Sequence, residues 1–144
     1  MTVFRSQGAD DVTWLWTIQA DGRGIGPAAP WWPGAQYVSW VGIDGFYDRP
    51  SDTFAALFGP AIAQVRSLTT EPILLSETGV GPQAGSFVKI QNLFGGMVAY
   101  RLLGLVWFNI TQQGGLDHQD WRLQDSQAAE ASFRLGVRED IARH

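Results

Sequence analysis

Short runs of apolar residues alternate with amphipathic segments along the chain. Runs rich in β-branched, aromatic and aliphatic residues predict four strands, at about 12–17, 37–43, 73–76 and 103–108. Amphipathic segments predict helices at about 52–58, 60–68, 87–101 and 126–141. The residues expected to cap or open these helices are, in order, Ser51 or Asp52, Pro60, Ser86 and Ser126. The first residues have the pattern of a last helical turn that Gly8 closes. This alternation of strands and helices is typical of a parallel sheet with helical crossovers.

The spacing of the predicted strands points to a particular kind of parallel sheet. A (β/α)8 barrel, or TIM barrel, of about 250 residues uses roughly 31 residues for each strand–helix unit. The predicted strands recur at comparable intervals, but they number half of what a closed barrel needs. We therefore predict an α/β fold with one domain over residues 1–144, equivalent to the C-terminal half of a TIM barrel, strands five to eight. Such a half is incomplete as a single chain, and its preceding helix would be interrupted at Met1.

Composition and charge narrow the classes of partner. An aromatic share of 12%, with 7 Trp and 8 Phe, suits either a core or flat surfaces that stack on ligand rings. A net charge of −4 without a basic cluster gives no support to binding of nucleic acid or of an anionic membrane. The chain has no Cys, which excludes disulfides and thiolate metal sites. No apolar run has the length of a membrane span, the first residues lack the apolar core of a signal peptide, and the cellular compartment stays open.

One carboxylate is singled out by its position. The segment Pro72-Ile73-Leu74-Leu75 has the composition of a parallel strand buried on both faces, and Ser76-Glu77-Thr78-Gly79 follows at once. Side chains at the carboxyl ends of barrel strands carry the chemistry of such enzymes. Glu77 is therefore the first candidate for a functional residue. The alternative is that Glu77 merely caps the turn before the next helix.

Four segments, in this order and spacing, resemble the second half of the glycoside hydrolase family 26 catalytic domain, the β-mannanase-like family. The resemblance covers nearly all of the chain. The segments match the fifth to eighth barrel strands, and they are Val12-Thr13-Trp14-Leu15-Trp16, Tyr37-Val38-Ser39-Trp40-Val41-Gly42-Ile43-Asp44-Gly45-Phe46, Pro72-Ile73-Leu74-Leu75-Ser76-Glu77-Thr78-Gly79 and Leu105-Val106-Trp107-Phe108-Asn109.

The resemblance implies a retaining glycosidase that acts on a polysaccharide, with β-mannan as first choice and without a cofactor. It implies that Glu77 is the nucleophile and that Trp107 is the platform beneath the sugar. Asn109 follows Trp107 after the end of the strand, and from that position it is predicted to face substrate as well. The family's acid/base Glu ends the fourth strand, and no segment of this chain matches it. The chain is therefore expected to be inactive by itself.

The family also places a Tyr near the end of the sixth strand, hydrogen-bonded to the nucleophile. Phe46 stands at that position and Tyr47 follows it, so either Tyr47 takes over through a local bulge or the hydrogen bond is missing.

Other candidate residues keep two interpretations each. Asp44 is the nearest second carboxylate and a further substrate contact, but Asp-Gly after a strand is more often a turn. Trp16 either lines the barrel mouth or belongs to the core. The pair Trp31-Trp32 is either a stacking surface for sugars or a plug of the barrel rim. Asp117, His118 and Asp120 have the chemistry of metal ligands, yet polar loops usually leave such groups solvated, and no metal is predicted.

A second function belongs to a different class. A half-barrel has two unpaired edge strands, here the fifth and the eighth, and such edges invite association. The alternative to an enzyme fragment is therefore a non-catalytic carbohydrate-binding or vestigial half-barrel that dimerises through its open edges.

Overall fold

The computed structural model describes residues 2–20, 26–111 and 120–142. Within these ranges the chain forms a four-stranded parallel sheet in the order β1-β2-β3-β4. The strands are β1 (Leu15–Gln19), β2 (Trp40–Tyr47), β3 (Ile73–Val80) and β4 (Leu105–Trp107). The helices are α1 (Thr2–Ser6), α2 (Phe54–Leu57), α3 (Gly59–Leu68), α4 (Ser86–Ala99) and α5 (Gln127–Ile141). The predicted α/β class and parallel sheet are confirmed, and the sheet is compatible with half of a barrel.

The helices pack against one face of the sheet, which we call the covered face. Its central strands contribute Val41, Ile43, Ile73 and Leu75, each fully buried. The side chains that meet them come from the helices and include Phe54, Phe58, Ile62, Val65, Ile90, Leu93 and Met97. Burial of this much apolar surface is the main favourable contribution to folding. The opposite face, the open face, carries Leu15, Thr17, Trp40, Gly42, Asp44, Phe46, Leu74, Ser76, Glu77 and Val106.

Several helix ends follow the sequence pattern. Ser126 caps α5, because its side chain accepts a hydrogen bond from Ala129 N at 3.3 Å, as predicted. Gly8 closes α1 with a positive φ of 76°, also as predicted. The caps of two other helices differ from the prediction. Thr53, rather than Ser51 or Asp52, caps α2 by accepting from Ala56 N at 3.2 Å, and Gly85 precedes α4 in a left-handed conformation. In the part of the chain that is described, no helix is both long and apolar enough to cross a membrane.

The strand boundaries differ from the predicted ones, and β4 is shorter than predicted at both ends. β1 and β2 begin three residues later than predicted, because the ladder between them starts where the Trp14 carbonyl accepts from the backbone N–H of Ser39 and Trp40. β3 continues to Val80, four residues beyond the predicted end. Glu77 therefore lies inside β3 and not in a turn after it, so the turn-cap interpretation is wrong.

Two adjacent glycines in α4 have opposite surroundings. A β-carbon on Gly96 would overlap the ring of Phe54, whereas one on Gly95 would meet no atom within 4 Å. The close approach of α2 and α4 thus requires a glycine at 96 and not at 95.

We predict opposite effects for two single substitutions in this helix. Gly96→Ala should lower the free energy of unfolding by about 1–3 kcal/mol, because the ring of Phe54 must shift. Gly95→Ala, the matched control, should raise it by about 0.5–1 kcal/mol through the better helix propensity of Ala. Urea unfolding followed by circular dichroism measures both. Equal effects would contradict the packing of α2 on α4.

Candidate functional site

An extra residue in β3 determines which way Glu77 points. Between the pairs Gly42↔Leu74 and Asp44↔Glu77, β3 contains one residue more than β2. The same surplus occurs toward β4, between Leu75↔Leu105 and Thr78↔Trp107. Such a bulge changes the alternation of side chains. It places Ser76 and Glu77 together on the open face, whereas strict alternation would turn Glu77 toward the helices.

Glu77 lies opposite a second carboxylate. Asp44 is its ladder partner on β2 and shares the open face. The hydroxyl of Ser76 donates a hydrogen bond to Asp44 Oδ1 at 2.5 Å. The Glu77 side chain is exposed, and Asp44 and Ser76 are half-buried. Two acidic groups thus meet on one face, with one of them oriented by a hydroxyl and the other accessible to a ligand.

Asp44 and Gly45 are strand residues. Both lie inside β2, so the expectation of an Asp-Gly turn is wrong. Gly45 is required there by close packing, because a β-carbon would come within 2.7 Å of the Phe58 ring and 2.8 Å of Ala20. On the open face, a β-carbon on Gly42 would overlap the hydroxyls of Ser76 and Thr17. Gly42 therefore leaves room for the polar groups that surround Asp44.

Aromatic rings border the site on its carboxyl-terminal side. Phe46 pairs with Gly79 in the ladder, two residues beyond Asp44 and Glu77. Its ring centroid lies 5.4 Å from that of Phe108 and 4.9 Å from that of Trp121. Trp121 is 2% exposed and covers Gly79, whose β-carbon would approach its ring to 3.0 Å. Trp121 was not predicted as part of the site, because nothing in the sequence around it shows that the segment folds back over β3.

Phe46 occupies the position at which the family resemblance implies a tyrosine. It shares the open face with Glu77 but has no hydroxyl to donate. Tyr47 points to the covered face, where it is fully buried and its hydroxyl donates to Asn92 Oδ1 at 3.2 Å. The bulge needed to bring Tyr47 to the open face is absent from β2, because the extra residue belongs to β3.

Trp107, the predicted sugar platform, and Trp16, the predicted residue of the barrel mouth, also lie on the covered face. Trp16 packs edge-on against Trp32, with ring centroids 4.9 Å apart. Trp107 packs against Phe133 of α5 at 5.1 Å, and its indole N–H donates to the Trp121 carbonyl at 2.8 Å. The structure therefore does not bring Trp16, Tyr47 or Trp107 together with Glu77. Their roles as substrate contacts remain predictions.

Asn109 holds the segment 120–125 in place through hydrogen bonds to two of its residues. Its Oδ1 accepts from Leu123 N at 2.9 Å and its Nδ2 donates to Gln124 Oε1 at 3.2 Å. Nearby, the guanidinium of Arg122 contacts Asp120 at 2.5 Å and Asp125 at 2.6 Å. Hydrogen bonds from Arg122 hold the pKa of the Asp120 carboxyl well below its usual range.

Of the three residues in this loop with the chemistry of metal ligands, Asp120 lies within the described residues. Asp117 and His118 lie outside the described residues. Asp120 is engaged by Arg122, and residues 2–20, 26–111 and 120–142 contain no group of three side chains suited to hold a metal ion.

Comparison with known proteins adds a glycosidase relationship. No model of a protein family matches the chain. The chain is 25% identical over 146 residues to Endoglucanase H of Acetivibrio thermocellus. The alignment covers 94% of this chain and 16% of that protein, so the chain spans about a sixth of the length of the relative it matches. An endoglucanase is a glycosidase, and the similarity supports a relationship to glycosidases at that level, without identifying family 26.

We predict that Tyr47 makes stability fall in alkaline solution. Burial, with a smaller contribution from Asp52, raises the pKa of the Tyr47 hydroxyl above its ordinary value. Above pH ~10 the unfolded chain releases this proton while the folded chain retains it, so the free energy of unfolding should decline by up to about 1.4 kcal/mol per pH unit. Urea unfolding between about pH 8 and about pH 11 measures the slope.

Tyr47→Phe should remove that part of the slope, at a cost of about 0.5–1.5 kcal/mol at neutral pH from the lost hydrogen bond to Asn92. Tyr37→Phe is the control, since Tyr37 is 50% exposed, and this variant should keep the slope. Identical alkaline slopes for wild type and Tyr47→Phe would show that the hydroxyl is not buried in solution.

Proposed function

We propose that this chain carries the nucleophile of a retaining β-glycoside hydrolase that acts on a polysaccharide, with β-mannan as the first substrate. The observation that supports the proposal most directly is the bulge in β3, which turns Glu77 out of the helical core and places it, exposed, opposite Asp44. An exposed carboxylate contributes nothing to the packing of the strand against the helices, so its position there points to a functional role. The similarity to an endoglucanase adds support at the level of glycosidases.

The reaction assigns distinct tasks to the residues of the open face. Glu77, as a carboxylate, attacks the anomeric carbon; a glycosyl ester bond forms and the glycosidic C–O bond breaks. Asp44, oriented by Ser76, accepts a hydrogen bond from a sugar hydroxyl with its remaining oxygen. The half-buried ring of Phe46, backed by the buried ring of Trp121, forms an apolar border against which a sugar ring packs.

Residues at and after the end of β4 support the site through the 120–125 segment. Through its indole N–H, Trp107 holds the backbone at Trp121. Asn109 holds the following residues through Leu123. In this proposal both act by placing the 120–125 segment over the site, while Trp16 and Tyr47 stabilise the sheet beneath it.

The leaving oxygen also needs a proton, which a second carboxyl group about 5–5.5 Å from the nucleophile supplies in retaining glycosidases. The resemblance assigns that group to a strand without a counterpart among these residues, and Asp44 already accepts from Ser76. We therefore predict that the purified 144-residue chain releases no reducing sugar from β-mannan. The assay should include β-glucan, because the relative is named as an endoglucanase. Turnover of either polymer by the chain alone would refute the division of labour proposed here.

Trapping tests the nucleophile without needing an acid. A 2-deoxy-2-fluoro-β-mannosyl fluoride loses fluoride without protonation, and the fluorine at carbon 2 slows hydrolysis of the ester. We predict one covalent adduct per chain by intact mass, mapped by peptide sequencing to Glu77. Glu77→Gln should form none.

Glu71→Gln is the matched control for trapping, because Glu71 precedes the amino end of the same strand. It should form the adduct as wild type does. Modification of Glu77→Gln at the wild-type level would show reaction elsewhere on the chain and would exclude Glu77 as the nucleophile.

The alternative function, a carbohydrate-binding half-barrel, is favoured by exposed tryptophan. Trp31 is 78% exposed and borders a cleft of about 420 Å³ beside β1, with Trp16, Ile18, Pro60 and Gln64 in its lining. Titration with mannohexaose and cellohexaose, followed by tryptophan fluorescence, separates the two functions. Binding that Trp31→Ala abolishes, with no trapping at Glu77, would favour the binding module.

A further inference from the structure

The open face leaves large apolar side chains in contact with solvent. Leu15 is 42% exposed, Trp40 38% and Val106 51%. They lie on β1, β2 and β4 and therefore extend across the whole sheet. Parallel sheets almost always bury both faces, so a face of this composition needs a cover.

Within residues 2–20, 26–111 and 120–142, neither edge strand of the sheet pairs with a further strand. In β1, the Trp14 carbonyl and the Ala20 N–H bond to β2, so the alternate residues Leu15, Thr17 and Gln19 direct their N–H and C=O groups away from the sheet. In β4, the Gly104 carbonyl and the Phe108 N–H bond to β3, and Leu105 and Trp107 face outward in the same way.

The direction and number of the strands indicate that a second copy of this chain can cover the open face. All of the described strands run parallel, so β4 of one copy can pair with β1 of another without reversing the sheet. A two-fold axis parallel to the strands repeats this seam on the other side. Two sheets of four strands then close at eight, the number at which side chains fill the interior of a parallel barrel.

We propose that two copies of this chain form a closed dimer through their open faces, with β4 of each copy paired to β1 of the other. The dimer buries the apolar residues of both open faces in one interior and satisfies both pairs of edges. Glu77 and Asp44 lie toward the carboxyl ends of their strands, and there a barrel opens to solvent, so closure does not force these carboxylates into the packed interior.

Solution mass tests the dimer, and its result does not depend on the glycosidase chemistry. Analytical ultracentrifugation over a concentration series should give twice the 15.8 kDa of one chain. Val106→Lys should reduce the mass to 15.8 kDa, because a lysine on the open face would be buried in the closed interior. Val88→Lys is the matched control: Val88 is 54% exposed but lies on α4, and this variant should remain a dimer.

Crosslinking tests the seam itself and does not require that Val106→Lys remain folded. The chain has no Cys, so introduced thiols are unique. The double variant Leu15→Cys/Val106→Cys places thiols on the open face of the two edge strands, and mild oxidation should convert it to a covalent dimer. Leu15→Cys/Val88→Cys should stay largely uncrosslinked.

Two results would overturn the proposal. One is a wild-type mass of 15.8 kDa at every concentration, which would leave the open face uncovered or reserved for a different chain. The other is a dimer that survives Val106→Lys and crosslinks equally well through Val88, which would place the interface on the helices.

Discussion

The packing of helices against a single face of the parallel sheet is the constraint on which the other features depend. Val41, Ile43, Ile73 and Leu75 commit the covered face to the core. Every polar or reactive group that remains accessible on the sheet must therefore lie on the open face. The same asymmetry leaves Trp40 and Val106 in solvent. A candidate site and an unsatisfied interface thus have one common origin.

The site itself is built by small residues as much as by functional ones. Gly42 leaves room for the hydroxyls of Ser76 and Thr17, and Gly79 lies beneath Trp121. Beyond them, aromatic rings border the site where Phe46 lies. At both glycines the missing side chain lets neighbouring groups approach the backbone closely, which is a common use of glycine in strands.

The sequence was sufficient to predict the strands and helices, but not the face of the sheet on which each side chain lies. Alternating apolar runs predicted the parallel sheet, and Ser126 predicted the start of α5, because these signals are local. The face of Tyr47 depends on pairing with a distant strand, and no local signal reports it. Asp44-Gly45 has the composition of a turn, yet the contact with Phe58 requires that glycine inside a strand. Ser76-Glu77 likewise has the composition of a strand end, although β3 continues through a bulge.

The bulge also has a consequence for how this segment tolerates evolutionary change. Because β3 exceeds both neighbours by one residue, the extra residue can be lost without reversing the alternation on either side of it. Loss of the codon for Ser76 would let Glu77 follow Leu75 directly, and Glu77 would remain on the open face while the hydroxyl that orients Asp44 would be lost. Replacement of Ser76 by another small residue would also leave Glu77 in place. Homologous segments should therefore vary at this position in length as well as in side chain.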